Sequence, residues 1–213
     1  MKRLFLLCFV CVLLLCSCAK GHTFVRSEDG YTDQKTEITY RSLDAVYEPA
    51  KGGEAVGVYE HKSSGVTREF REIPDLDPKM FLTDDTLNVY YAGSAFVTAD
   101  AWEVSVILVC EEDAISVERA RFSAGTDDAV IERLRTLWFA EGDGTVLPTN
   151  APKVSYRLKI SGTLYPNLLY SFSFLYYESG EAYFYNPIDR HTVAVPQDLI
   201  DLLYPTVSGG EEG

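Results

Sequence analysis

The chain is poor in the residues that most often carry chemistry. It has three histidines, two methionines and two tryptophans in 213 residues. His22, His61 and His191 are scattered, and no His-Glu-x-x-His pair brings two together, which leaves little from which to build a zinc site. No Gly-x-Ser-x-Gly elbow presents a nucleophile. No glycine-rich loop ending in Gly-Lys-Ser/Thr cradles a phosphate. No cofactor and no metal site are therefore expected. Positive charge is also scarce: 19 Lys and Arg against 32 Asp and Glu, a formal charge of -13. So acidic a chain is repelled by nucleic acid and by anionic membrane surfaces, and nucleic acid is excluded as a partner. The apolar run over residues 4–15 is shorter than the roughly 20 residues that a membrane-spanning helix needs.

Cysteine is nearly absent where it would count. Of five cysteines, Cys8, Cys11, Cys16 and Cys18 crowd the N-terminus and only Cys110 lies beyond. No disulfide can form within the body of the chain. Cys110 ends the apolar run of residues 104–109, so it reads as a small buried hydrophobe. The competing reading, a nucleophile served by His61 or His191, needs an electropositive and partly exposed setting. Glu111, Glu112 and Asp113 work against that.

What the chain does have begins at its N-terminus. Lys2 and Arg3 precede the apolar run, and Leu15-Cys16-Ser17-Cys18 closes it. A basic head, an apolar centre and a small residue form the pattern of an export signal. The closing tetrapeptide resembles the lipobox of bacterial lipoproteins, with Cys16 an uncommon but small occupant of its second position. The resemblance implies that residues 1–17 are removed, that Cys18 carries a diacylglyceryl group, and that the mature chain faces outside the cytoplasm. Its first partner is then membrane lipid, reached through acylated Cys18. Two acyl chains anchor stably where one is marginal. Losing Lys2 and Arg3 would take the formal charge from -13 to -15.

Residues 18–35 are polar and read as the lipidated cysteine followed by a flexible tether, with His22 a bystander. Residues 36–207 read as a single α+β domain, alternatively two lobes at 36–123 and 124–207, and residues 208–213 as a disordered acidic tail. Hydrophobic residues at 46% are ample for a core. Strands are expected near Ile38 and Tyr40, at 55–59 and 66–70 around a turn at 62–65, at 87–91, 102–110 and 115–122. Pro74 and Pro78 break the ladder between them. Residues 127–140 carry the helical stripe Val130, Ile131, Leu134, Leu137 and Trp138, with Thr126 as N-cap and Gly142 as stop. Strands follow at 154–160, 168–177, 182–185 and 192–195, then a short helix after Pro196 with Leu199, Ile200 and Leu203. The fold class is α+β: an antiparallel meander with two helices packed on it. Tyr170, Phe172, Phe174 and Tyr176 share one face of the long strand and should lie under the Trp138 helix.

Few candidate sites emerge. Asp75, Asp77, Asp84 and Asp85 form the densest acidic stretch, read as a solvated loop with a weak calcium site as the alternative. His191, beside Asp189, reads as a capped loop histidine. Fourteen tyrosines are the one excess. Tyrosine suits half-buried strands and also recognition surfaces, and Tyr165, Tyr177, Tyr183 and Tyr185 are the candidate partner surface. The sequence therefore points to a lipid-anchored, non-enzymatic extracytoplasmic domain that binds a protein, peptide or envelope component. The alternative is a carboxylate-based hydrolase of cell-envelope polymers, which would show two close acids in a deep pocket, one with a raised pKa.

Overall fold

The computed structural model describes residues 21–112, 117–140 and 145–204. The signal, Cys18, Gly142 and the acidic tail lie outside them.

Seven short strands close on themselves: β1 (His22–Ser27), β2 (Gly30–Asp33), β3 (Thr39–Ser42), β5 (Ala55–Glu60), β6 (Thr67–Arg71), β7 (Phe81–Asp84) and β8 (Val89–Tyr91). They run β1-β2-β3-β8-β7-β6-β5 around a barrel. Every pairing is antiparallel except the closing one, in which β1 lies parallel to β5. Alternate residues point inward, and the lumen is filled by Phe24, Tyr31, Tyr40, Tyr59, Phe70, Leu82 and Tyr90. The barrel is thus a packed core without room for a ligand. Its parallel closure needs a close approach: a Cβ on Gly57 would sit 2.0 Å from the His22 carbonyl oxygen.

This barrel corrects the expected tether. Residues 22–33 supply two of its staves, with Phe24 and Tyr31 in the core. A barrel strand needs apolar residues only at alternate positions. Phe24 and Tyr31 meet that need in a stretch whose composition is otherwise that of a linker.

The second half is a seven-stranded sheet. β10 (Glu118–Ser123), β9 (Val104–Glu111), β11 (Val154–Gly162), β12 (Leu168–Tyr176), β13 (Ala182–Tyr185) and β14 (Thr192–Ala194) lie in that order, and β4 (Tyr47–Pro49) pairs with β12. β11 to β14 form the expected meander. The β9–β10 hairpin on one side of it and β4 on the other make the sheet more than a meander, and the barrel stands apart from it. The class is α+β, but its single-sheet description does not hold.

Two helices cover one face of this sheet. α1 (Asp128–Trp138) buries Ile131, Leu134 and Trp138, and α2 (Gln197–Leu203) buries Leu199, Ile200 and Leu203. Both are a residue or more shorter than expected. The Trp138 indole stacks on Phe172 at 4.0 Å and 4°, and its Nε1–H donates to the Tyr170 hydroxyl at 3.1 Å. The aromatic face of β12 therefore lies under α1, as the alternation predicts. Asp127, not Thr126, occupies the N-cap, and its carboxylate accepts from the Ser123 amide behind it. At the other end His191 Nε2–H donates to the Trp138 carbonyl at 2.9 Å, satisfying a helix-terminal acceptor.

The β7–β8 hairpin joins the two halves. Every residue of both strands is buried. Leu82 and Tyr90 point into the barrel, while Phe81, Val89 and Tyr91 belong to the core under the helices. Phe96, Tyr165 and Trp102 complete this seam, Tyr165 stacked on Phe96 at 5.3 Å and edge-on to Phe81 at 5.1 Å.

Candidate functional site

Of the four tyrosines expected to share a partner surface, Tyr177, Tyr183 and Tyr185 fall on the sheet face opposite the helices, and Tyr165 does not join them. Tyr165 lies in the seam, and Tyr177 and Tyr183 are buried, edge to face at 5.8 Å. Tyr185, on the same open face, is half-buried.

The open face is the one opposite the helices. Strand alternation sends Ser155, Arg157, Lys159 and Ser161 of β11 to it, together with Ser171 and Ser173 of β12. Register builds a row across four strands: Cys110 of β9 opposes Arg157, Arg157 opposes Ser173, and Ser173 opposes Tyr185. Lys159 is paired with Glu48 at 2.9 Å. Arg157 has no carboxylate within ion-pair reach among the described residues.

Beside Arg157 the edge of β12 changes partner. β4 pairs with Leu168–Tyr170 and β13 pairs with Ser173–Tyr176. Between them a small notch of about 80 Å³ opens, lined by Ala45, Val46, Glu112, Arg157, Ser171, Ser173, Pro187 and Ile188. Arg157 Nη2 donates to Ser171 Oγ at 3.0 Å, and Ser171 Oγ donates to the Val46 carbonyl at 3.3 Å. Glu112 accepts from Ser173 Oγ at 3.4 Å and also from Ser155 Oγ. The Arg157 Nε is fully buried with no acceptor. Buried polar atoms are nearly always paired, so an unpaired guanidinium N–H in a cavity calls for an oxygen acceptor.

The other polar centres are satisfied from within. Asp84, 1% exposed, sits in the barrel wall rather than in a solvated loop. It pairs with Arg68 at 3.0 Å and accepts from the Tyr90 hydroxyl at 2.8 Å. Asn88 and Thr86 donate to it as well. Burial pushes its pKa up, and the hydrogen bonds from Asn88, Thr86 and Tyr90 outweigh that and hold it below the ordinary value. Arg68 also donates to Tyr90 and lies 5.5 Å over the Tyr31 ring. At the opposite barrel mouth Asp33, also 1% exposed, accepts from His22 Nδ1–H at 2.6 Å and from Thr36 Oγ1 at 2.6 Å. His22 Nε2 accepts from Lys35 Nζ at 3.2 Å. His22 is thus part of the turn that ends β2, not a bystander.

The remaining candidates fall into place singly. Asp75 accepts from Asn167, Asp77 accepts from the Lys79 amide, and Asp84 is used by Arg68, so these acids do not converge. Among the described residues no group of three His, Cys, Asp or Glu is arranged to hold a metal ion. Cys110 is buried, and burial, ahead of Glu118 and Glu48, pushes its thiol pKa up. His61 accepts from Ser64 in the β5–β6 turn, and His191 is spent on Trp138.

Arg157 was readable only in part. The alternation Val154 to Ser161 marks it as facing away from the helices. Its hydrogen-bond partner Ser171 lies on the next strand of the meander, but Glu112 and Val46, which line the notch with it, come from segments that no local pattern brings there. Comparison with protein-family models, curated protein sequences and solved structures finds no match to this chain.

Proposed function

We propose that the chain is a lipid-anchored, extracytoplasmic binding domain that works without catalysis, and that it engages a carboxylate of a protein or peptide partner at the Arg157 notch. One observation carries the reading: a half-buried guanidinium, its Nε fully buried without an acceptor, opens on a cavity lined by two serine hydroxyls. Arginine presents a planar fork that matches a carboxylate. The notch admits a single small group, such as an acidic side chain or a chain terminus. Glu112 on its rim adds an acceptor for a neighbouring donor of the same partner. Two or three waters of about 30 Å³ each are the competing occupants. The hydrolase alternative gains no support here. Asp33, Asp84, Glu118 and Asp198, the carboxylates with displaced pKa values among the described residues, are all shifted down, away from general-acid use.

Nitrogen NMR of the arginine side chains tests the site directly. Titration with acetate should move the Arg157 Nε–H resonance saturably and leave Arg68 in place. Movement of neither, or of every exposed arginine alike, would leave water as the occupant. Fatty-acid labelling tests the anchor: Cys18→Ala should lose the label.

A further inference from the structure

Several features of the molecule offer themselves beyond the notch: two barrel mouths, a shallow groove along β1, and the buried thiol of Cys110. The first strand carries an argument furthest, because it removes the spacer that a lipid-anchored domain was expected to have. β1 starts at His22, four residues after Cys18. Four residues at full extension, about 3.3–3.6 Å each, span no more than about 14 Å. Resting on the lipid-anchor reading above, we propose that the barrel mouth at which β1 begins lies against the phospholipid headgroups of the membrane that holds the anchor.

The geometry of the mouth makes the assignment specific. His22, Asp33, Thr36, Tyr40, Pro78 and Lys79 surround it. Gly21 already packs on β5, where a Cβ would lie 3.1 Å from the Val56 carbonyl oxygen. The chain therefore enters the barrel rigidly at this end, and residues 19–20 are all that separates the lipidated cysteine from the packed fold. The headgroup layer takes up a further part of the reach, since each headgroup region is roughly 5–8 Å thick. What remains is comparable to the Debye length of about 8 Å at physiological salt. The charge at this mouth is mixed: Lys35 and Lys79 stand beside Glu37, Glu72 and Asp77. Attraction to lipid is not what brings it there. The leash does, against the repulsion that a strongly acidic domain meets at an anionic surface.

The opposite mouth gains the complementary role. It is lined by Arg26, Glu28, Asp29, Arg68, Asn88 and Tyr90. β1 runs from one mouth to the other over six residues, a rise of roughly 17 Å. This end is held away from the bilayer, in the aqueous space.

Site-directed spin labels on the lipidated protein in phosphatidylcholine vesicles decide the matter, with nickel-chelating headgroups as the relaxation agent. The labels go at Lys79→Cys, on the proximal mouth, and at Glu28→Cys, on the distal one. Relaxation enhancement should be several-fold greater at position 79 than at position 28. Inserting 20 Gly and Ser residues after Ala19 should abolish the difference while the protein stays bound. Equal enhancement at both positions in the uninserted protein would overturn the orientation. A protein that fails to bind the vesicles and carries no fatty acid would instead overturn the anchor, so the two failures are distinguishable.

Discussion

The two halves of the molecule solve the same problem with different tools. The barrel buries Phe24, Tyr31, Tyr40, Tyr59, Phe70 and Tyr90 in its own lumen, and turns only Phe81 and Tyr91 of the seam outward. The sheet has one aromatic face, and that face depends on α1 and α2 to keep water off. In the barrel Arg68 is consumed: it is bound by Asp84, Tyr90 and the Tyr31 ring. In the sheet Arg157 is not, since it has one serine hydroxyl and a buried, vacant Nε–H. A buried charge that is fully paired reports on architecture. One left with unmet capacity beside a cavity reports on something that comes and goes.

The largest effect should fall on the sheet. Trp138→Ala removes a fully buried ring from its stack on Phe172 and leaves a cavity, at a cost of about 3–5 kcal/mol in urea unfolding. Arg133, on the same helix but exposed and paired with Asp198, should be replaceable by Ala with no measurable change in the unfolding midpoint. If the two variants melted alike, α1 would be a docking helix and the sheet's core would have to be redrawn.

Next comes the barrel's charge network. Asp84→Ala leaves Arg68 facing the Tyr90 hydroxyl and the Tyr31 ring without its carboxylate. Breaking a buried pair by removing one partner costs about 3–5 kcal/mol, and the part-exposed Arg68 places this case near 3. The same group shapes the acid limb. Its folded pKa lies below the unfolded value of about 3.9, so its contribution is present above that value. The contribution is lost as pH falls from about 4 through the folded pKa. Asp33 acts in the same direction. Acid unfolding of Asp84→Ala should therefore be shallower than that of the parent below pH 4. An unchanged acid limb would mean that the network does not titrate with folding.

A smaller effect is expected at the barrel's closure. Gly57→Ala drives a methyl into the His22 carbonyl, and both are backbone-fixed, so β1 must shift. Overpacking of this kind costs about 1–3 kcal/mol. Hydrogen exchange should quicken in β1 and β2 and stay unchanged in β11 and β12. Uniform quickening would show that the two halves unfold as one unit through the β7–β8 seam.

The sheet half was largely legible in the sequence, and the barrel was not. Val130, Leu134 and Trp138 announced a helix, and Tyr170 to Tyr176 announced the face beneath it, because both patterns repeat over many residues. The barrel strands are three to six residues long and interrupted by polar turns. Phe24 and Tyr31 look like stray aromatics in a linker until closure brings them against Phe70 and Tyr90. The tyrosines were legible in their face but not in their burial. Alternation put Tyr177, Tyr183 and Tyr185 on one face, but Tyr177 and Tyr183 are buried where the β12–β13 hairpin folds them onto each other. The notch was beyond reach, since it depends on where β4, from the first 50 residues, meets β12.

The smallest effect on stability should come from the residue proposed to matter most for binding. Arg157→Met keeps most of the side chain's apolar length and removes a guanidinium whose only described partner is the Ser171 hydroxyl. Losing one such hydrogen bond costs about 0.5–1.5 kcal/mol. Removing a buried, unpaired N–H offsets part of that, so the net change should be below about 1 kcal/mol. Acetate should then cause no saturable shift at Ser171 or Ser173 amides in this variant, while it does in the parent. Arg68→Met should show the inverse, a loss of stability with the acetate response intact. If Arg157→Met instead destabilised the fold as much as Asp84→Ala, the guanidinium would be a structural brace like its counterpart in the barrel, and the notch would hold only water.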